Sequence, residues 1–368
     1  MSDKKVVVYG ASGYTGRLVC EFLREFQVPF VAAGRNQGRI EEALAKVPGL
    51  ETADYDIVEV EHSVEALTEL LQGKVAICNT VGPFDYFGDA VVQAAANAGC
   101  HYMDTTGEQA FMMEMREKYA DDFRQKGIIL APSVAYMYTP LDIAAHMVLE
   151  DNSIDTLEAG CLAAGVPTYG STQTIFAMFQ AEHYYLQNNE LVPWQKGRGF
   201  EMVVPGMMMT QLAHPWGGGS LPLWFQNDHR VQNARQLTAF NNRPMFEQII
   251  GLQDHYETNL KDLPADEQEK ALEDIAAGMQ PGMPPRENKL VHRTTDFVHG
   301  IGTGTRRTCT IHSTAPYQLT GAVQAALAYY LLDAEPLKAG FVSGCQAAGH
   351  EYLLGALQKF LPMQIDLD

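Results

Sequence analysis

Residues Val6 to Gly16 read VVVYGASGYTG, an apolar run that breaks into Gly10, Gly13 and Gly16 at a three-residue spacing and is followed by a helix-forming stretch, Arg17 to Glu25. Few patterns restrict a chain as much. The glycines let the backbone turn sharply, bring its N–H groups up to a pyrophosphate and pack the helix against the strand. The helix N-terminus then supplies orphan N–H donors and a positive dipole end for the phosphates. The pattern is that of a dinucleotide cradle, with Gly10, Ser12, Gly13, Tyr14, Thr15 and Gly16 as its cofactor-binding residues.

The next expected strand, Pro29 to Ala33, ends at Gly34-Arg35-Asn36. This is about 20 residues past the glycines, where an NAD-binding chain places an acid on the ribose 2′-hydroxyl. No acid stands there. Arg35 and, one helical turn on, Arg39 are suited instead to forked, charge-assisted hydrogen bonds with a 2′-phosphate, so NADPH (NADP) is the expected cofactor and Asn36 joins its site.

The length, 368 residues, suggests two lobes rather than one core. A formal charge of −19 argues against nucleic acid or an anionic membrane as partner. The six cysteines form no CxxC pair and no cluster, which points to buried thiols, and no metal site is expected. A strand begins directly after MSDKK and no apolar run is long enough for a bilayer helix, so the expected location is the cytoplasm.

From Lys5 to Ala131 strands expected at residues 5–9, 29–33, 56–60, 74–79, 101–103 and 128–131 alternate with helices at 16–25, 39–46, 63–71, 89–98 and 109–125. The fold class is therefore α/β: a Rossmann-type doubly wound parallel sheet, whose short strands are apolar because both faces are covered. Beyond it the texture changes. A helix over 140–149, strand-like runs near 156–163, 200–204 and 221–226, and a hairpin from 289–299 to 306–313 imply a second α+β lobe on an antiparallel sheet. A charged helix over 262–278 stops at a loop, Pro281-Gly282-Met283-Pro284-Pro285. Apolar helices over 319–332 and 350–360 are expected to return to the first lobe. The expected division is 1–134 for dinucleotide binding, 135–315 for substrate and for pairing as a homodimer, and 316–368 for the closing helices.

Together with the glycine turn, three segments resemble the saccharopine dehydrogenase-like NADP-binding reductases, trans-acting enoyl reductases among them: Asn79-Thr80-Val81-Gly82-Pro83-Phe84, then Tyr102-Met103-Asp104-Thr105-Thr106-Gly107-Glu108, and the tail from Ala315-Pro316-Tyr317. The resemblance implies that Thr80, Val81, Gly82 and Pro83 lie along the cofactor. Asp104 and Glu108 read as organisers of a loop and a helix start rather than as acid–base groups. The middle of the chain, roughly 150–290, has no such likeness. After the sixth strand the family's Gly-Phe-Asp-Ser stands as Ala135-Tyr136-Met137-Tyr138, an acid replaced by methionine between tyrosines, which turns the expectation from a charged amino acid to an apolar substrate.

Trp194, Met207, Met208, Met209, Trp216, Trp224 and Phe225 crowd around Gly217-Gly218-Gly219, either as a hydrophobic binding wall with a movable lid or as ordinary packing. The candidates for catalytic proton donor are Tyr138, Tyr136, Tyr86 and His183, with Tyr138 first because it follows a strand at the ligand edge. No tyrosine has lysine four residues on, which removes the short-chain reductase arrangement. Neither Cys161 nor Cys345 has the Pro-Gly-Cys setting of an acyl-phosphate reductase nucleophile. Reduction of an enoyl C=C bond is favoured over an imine or ketone reduction, with a sensor that binds NADP(H) and transfers no hydride as the competing class.

Overall fold

A computed structural model describes residues 4–165, 168, 171, 178, 181–278 and 284–368. They fall into two compact units. Met1–Thr106, Phe111–Ile143 and Tyr317–Met363 make the first, and Gly107–Ala110, Ala144–Pro316 and Gln364–Asp368 the second. Residues 281–283 of the loop expected after the charged helix lie outside the described residues.

In the first unit, strands β1 (Val6–Tyr9), β2 (Phe30–Gly34), β3 (Tyr55–Glu59), β4 (Ala76–Asn79), β5 (His101–Asp104) and β6 (Ile129–Ala131) form a wholly parallel sheet in the order β6-β5-β4-β1-β2-β3, with the short strand Gly340–Phe341 beyond β6. Every residue of β1, β2 and β4 is buried, as a strand covered on both faces requires. Edge strand β3 is half-exposed instead. The connecting helices are α1 (Tyr14–Glu25), α2 (Gln37–Leu44), α3 (Val64–Leu71), α4 (Phe84–Ala98) and α5 (Gln109–Gln125). Asn36 caps α2 by accepting the Arg39 N–H, Ser63 caps α3 through the Ala66 N–H, and Gly99 ends α4 in a left-handed conformation. The helix Pro316–Asp333 comes back against α1 at a glycine: a Cβ on Gly321 would stand 2.8 Å from the Leu18 backbone. The strand order reverses between β1 and β4, the switch point at which such sheets bind ligands beyond their carboxyl ends.

α6 (Tyr138–Val148) leads into the second unit. There β7 (Ile154–Ala163), β8 (Tyr184–Gln187), β9 (Glu190–Pro193), β10 (Phe200–Met202), β11 (Gln211–His214), β12 (Asn233–Phe240), β13 (Arg293–Gly302) and β14 (Thr305–Thr314) form one sheet with Gln364–Leu367. The sheet is mixed, because β7 and β12 run parallel while its other pairs are antiparallel. The β13–β14 hairpin turns at Thr303-Gly304, with Gly304 left-handed. One expected strand is corrected: Leu221–Phe225 is a short helix with Pro222 in its first turn and every residue buried. A continuous apolar run has the same periodicity in a buried helix as in a buried strand, and the proline favours the helix start.

Candidate functional site

The glycine turn sits at the switch point and leaves no room for side chains. Gly10 is left-handed (φ +89°), and a Cβ on it would meet Thr80 Oγ1 at 2.7 Å and Val81 Cγ2 at 2.9 Å. A Cβ on Gly16 would stand 2.3 Å from the Gly10 carbonyl oxygen. The turn is held from within: the Gly10 and Ala11 N–H groups donate to the Ala33 carbonyl, and the Gly13 N–H donates to the Gly10 carbonyl at 2.9 Å. α1 then opens at Gly13 with no side-chain cap and no acid in its first turn. Its positive end is therefore turned toward whatever lies above the sheet edge. Ser12 and Thr15 are half-buried, and Tyr14 packs edge-on against Tyr317.

The loop after β4 is tied to the same edge. Thr80 Oγ1 donates to the Tyr9 carbonyl at 2.9 Å, and the Val81 N–H donates to Asn79 Oδ1 at 3.0 Å. Gly82 lies close under the Phe84 ring, and Pro83 precedes the first turn of α4. Behind this loop a buried polar chain crosses the sheet: Asn79 Nδ2 donates to the Tyr102 hydroxyl, which donates to Asp104 Oδ2 at 2.8 Å. Asp104 Oδ1 accepts the Thr106 and Ser133 N–H groups, each at 2.9 Å. Burial pushes the Asp104 carboxyl up to about 6, against the pull of these three donors. Asp104 thus fixes the ends of β5 and β6.

Beyond β2, Arg35 and Arg39 are exposed, and no carboxylate among the described residues lies within 4.0 Å of either guanidinium. The nearby carboxylate of Glu59 is occupied in accepting the Gln37 N–H at 2.8 Å, and Asn36 spends its side-chain oxygen on the Arg39 N–H. A residue that the sequence reading missed stands beside them: His62 Nδ1 pairs with the Tyr9 hydroxyl at 2.9 Å, and the His62 ring meets Phe87 edge-on. Burial and then the Arg35 charge lower the His62 pKa. A lone histidine after an edge strand carries no pattern of its own, so only the fold reveals its place.

The proton-donor candidates occupy several elements. Tyr136 lies between β6 and α6, its N–H donating to Thr320 Oγ1, and Tyr138 opens α6 and is only 5 % exposed. Tyr86 lies in the first turn of α4 and is 64 % exposed. His183 belongs to the second unit. Cys161 and Cys345 are both buried, and burial raises both thiols, so neither is poised as a thiolate. Among the described residues no three His, Cys, Asp or Glu side chains group as metal ligands, and no helix is long and apolar enough to cross a membrane.

In the second unit the crowded methionines and tryptophans do not share a wall. Met207, Met208 and Met209 stand in solvent, Trp194 packs on Tyr185 and Phe200, and Trp224 is buried in its short helix. The glycine triplet is a packed turn rather than a lid. All three glycines are left-handed, and Cβ atoms on Gly218 and Gly219 would stand 2.2 Å from Gln109 Oε1 and 2.5 Å from the Gln236 side chain. Gln109 Nε2 also donates to the Gly219 and Tyr184 carbonyls, each at 3.0 Å. Beside this turn is a small cavity of about 20 Å³, walled by Met178, Trp216, Ile249 and Ile250. Its polar groups are His183, His214 and Gln253. Among the described residues His183 Nε2 is buried without a partner, and such an acceptor costs about 1–3 kcal/mol when it stays unpaired.

Residues 6–130 match the saccharopine dehydrogenase NADP binding domain, and residues 139–364, more than half of the chain, match a family of unknown function (DUF5938). The chain belongs to the DUF5938 family, and its residues 6–130 carry a saccharopine dehydrogenase NADP binding domain. A lipid droplet localized protein of Caenorhabditis elegans is 30% identical to this family member over 156 residues, 40% of this chain and 37% of that protein. A protein of Mycobacterium tuberculosis named as a candidate trans-acting enoyl reductase is 25% identical over 182 residues, 48% of this chain and 43% of its own length. The matched part thus spans less than half of each of these relatives. Saccharopine dehydrogenase (L-Glu forming) of Saccharomyces cerevisiae shares the fold, with a TM-score of 0.60 over 99% of this chain and 100% of that one at 12% identity.

Proposed function

We propose that this family member is an NADPH-dependent oxidoreductase that passes hydride to a hydrophobic unsaturated substrate, an enoyl or enone C=C bond. One observation carries the reading: an uncapped, acid-free helix start above a turn too tight for any Cβ, flanked by two guanidinium groups that no carboxylate among the described residues occupies. These residues fit a phosphorylated dinucleotide. The first-turn amides of α1 hold the pyrophosphate, Arg35 and Arg39 hold the 2′-phosphate, and Thr80, Val81, Gly82 and Pro83 border the cofactor at the switch point. NADPH, when bound, supplies the hydride.

The chain's own part is to orient the acceptor and deliver a proton. Tyr138 is assigned as proton donor, with Tyr136 beside it shaping an uncharged wall; Tyr86 and His183 are the alternatives for the donor. The absence of an acid in Ala135-Tyr136-Met137-Tyr138 favours apolar surface over an ammonium or carboxylate, and the name of the mycobacterial relative speaks of the same chemistry. The test is to follow absorbance near 340 nm while NADPH and the purified chain meet enones, imines and ketones of increasing chain length. Oxidation with an apolar enone, slowed at least about tenfold in Tyr138→Phe, supports the proposal. Tight NADPH binding with no oxidation across the panel points to a sensor instead.

A further inference from the structure

The buried polar relay behind the β4 loop reaches the glycine turn. Its members, Asn79, Tyr102, Asp104, Thr106 and Ser133, are fully buried and all belong to the first unit. Both of its ends are backbone N–H groups, which can only donate. At one end the Val81 N–H donates to Asn79 Oδ1 at 3.0 Å; at the other the Thr106 and Ser133 N–H groups donate to Asp104 Oδ1, each at 2.9 Å.

These fixed donors set the direction of every bond between them. With Oδ1 turned to Val81, Asn79 presents Nδ2 to the Tyr102 oxygen at 3.1 Å, and Tyr102 sends its own proton to Asp104 Oδ2 at 2.8 Å. Donors point inward from both sides, so the relay closes only on a group that accepts at every position. An ionised carboxylate is such a group. A proton on Oδ2, or an amide in its place, presents a donor to the Tyr102 hydroxyl where an acceptor is needed. The Asn79 amide then loses its fixed orientation, and its hold on the Val81 N–H loosens.

Val81 is the residue that packs on the turn, its Cγ2 lying 2.9 Å from where a Cβ on Gly10 would stand. Against Asp104 lie Asn79 of β4, Ser133 after β6 and Gln324 of the helix Pro316–Asp333, whose Nε2 donates to the Asp104 carbonyl at 2.7 Å. All three are neutral. Tyr102 is the other titratable group of the relay, and burial pushes the Asp104 carboxyl up to about 6.

We propose that Asp104 is a positioning residue of the cofactor site: its ionised carboxylate sets the direction of the relay through Tyr102 and Asn79, and so holds Val81 on the glycine turn in the form that borders the dinucleotide. This role rests on the reading of the first unit as an NADPH site.

The intact chain, labelled with nitrogen-15 valine, is titrated from pH 8 to pH 5 without cofactor, and its NADPH affinity is measured by calorimetry at pH 7.5. The Val81 amide resonance, identified by its loss in Val81→Ile, is expected to move with a midpoint near 6. In Tyr102→Phe, which leaves both N–H donors on Asp104, it does not titrate. Asp104→Asn and Tyr102→Phe each weaken NADPH about five- to tenfold, and the double variant weakens it no further. Should Asp104→Asn fail to fold by circular dichroism, Tyr102→Phe decides the matter. A Val81 amide that stays still in the native chain, or still titrates in Tyr102→Phe, overturns the proposal. Native NADPH binding left intact in the folded variants removes this role of Asp104 alone, whereas no binding by the native chain removes the cofactor reading and the role with it.

Discussion

The turns at Gly10–Gly16 and Gly217–Gly219 use the same residue toward opposite ends. In the first, glycine removes side chains so that backbone amides stay open at a helix start, and the crowding around Gly16 comes from the turn's own backbone. In the second, the vacated space is refilled by the side chains of Gln109 and Gln236 and by Met178, and Gln109 bonds the Gly219 carbonyl. One turn is a socket; the other is a latch. Glycine content alone does not separate them, because the difference lies in what packs against each Cα from distant parts of the chain.

Acid should separate the two units most. Burial holds His183 at about 3 and His214 at about 4, so both stay neutral in the folded chain while the unfolded chain takes up protons below pH 6.5. Stability therefore falls as the pH drops through that value, by about 2 kcal/mol per imidazole at pH 5. In the first unit, His101, lowered to about 4, pulls the same way. Asp104, raised to about 6, binds its proton in the folded state first and regains stability as the pH falls from 6 toward 4. Hydrogen exchange at pH 5 against pH 7 should thus show protection lost in β8, β11 and the helix Arg243–His255 before β1, β4 and β5. Equal loss in both units breaks the comparison.

Next in size is Gly218→Ala, which combines a left-handed backbone with a collision at Gln109. Denaturant titration is expected to show a loss of about 2–4 kcal/mol, with NADPH affinity unchanged. Gly16→Ala is the counterpart: its Cβ meets the Gly10 carbonyl, and calorimetry should show NADPH affinity reduced about ten- to a hundredfold. Smallest is Arg35→Asp, expected to weaken NADPH about tenfold and NADH by less than about twofold, which separates 2′-phosphate recognition from the rest of the cradle.

The first unit was legible because a strand buried on both faces must be apolar along its whole length and because helix starts carry polar caps. Strands expected at 5–9 and 101–103 stand at Val6–Tyr9 and His101–Asp104, and α5 begins and ends at Gln109 and Gln125 as its pattern requires. The second unit was harder to read. Leu221–Phe225 has no period to distinguish helix from strand, and β12 pairs in parallel with β7 across a long stretch of chain that gives no local signal. Met207 to Met209 suggested a binding wall and stand in solvent, whereas the cavity depends on His183, His214 and Gln253, which are far apart in sequence. The Arg35 position followed from spacing alone; His62 needed the contact with Tyr9.

The central claim is that the open end of α1 and the guanidinium groups beyond β2 together hold a 2′-phosphorylated dinucleotide. Isothermal titration of the intact chain with NADPH and with NADH addresses it most directly. The account predicts one NADPH per chain, bound at least about tenfold more tightly than NADH. No NADPH binding at millimolar concentration, or equal affinity for the two, would contradict it.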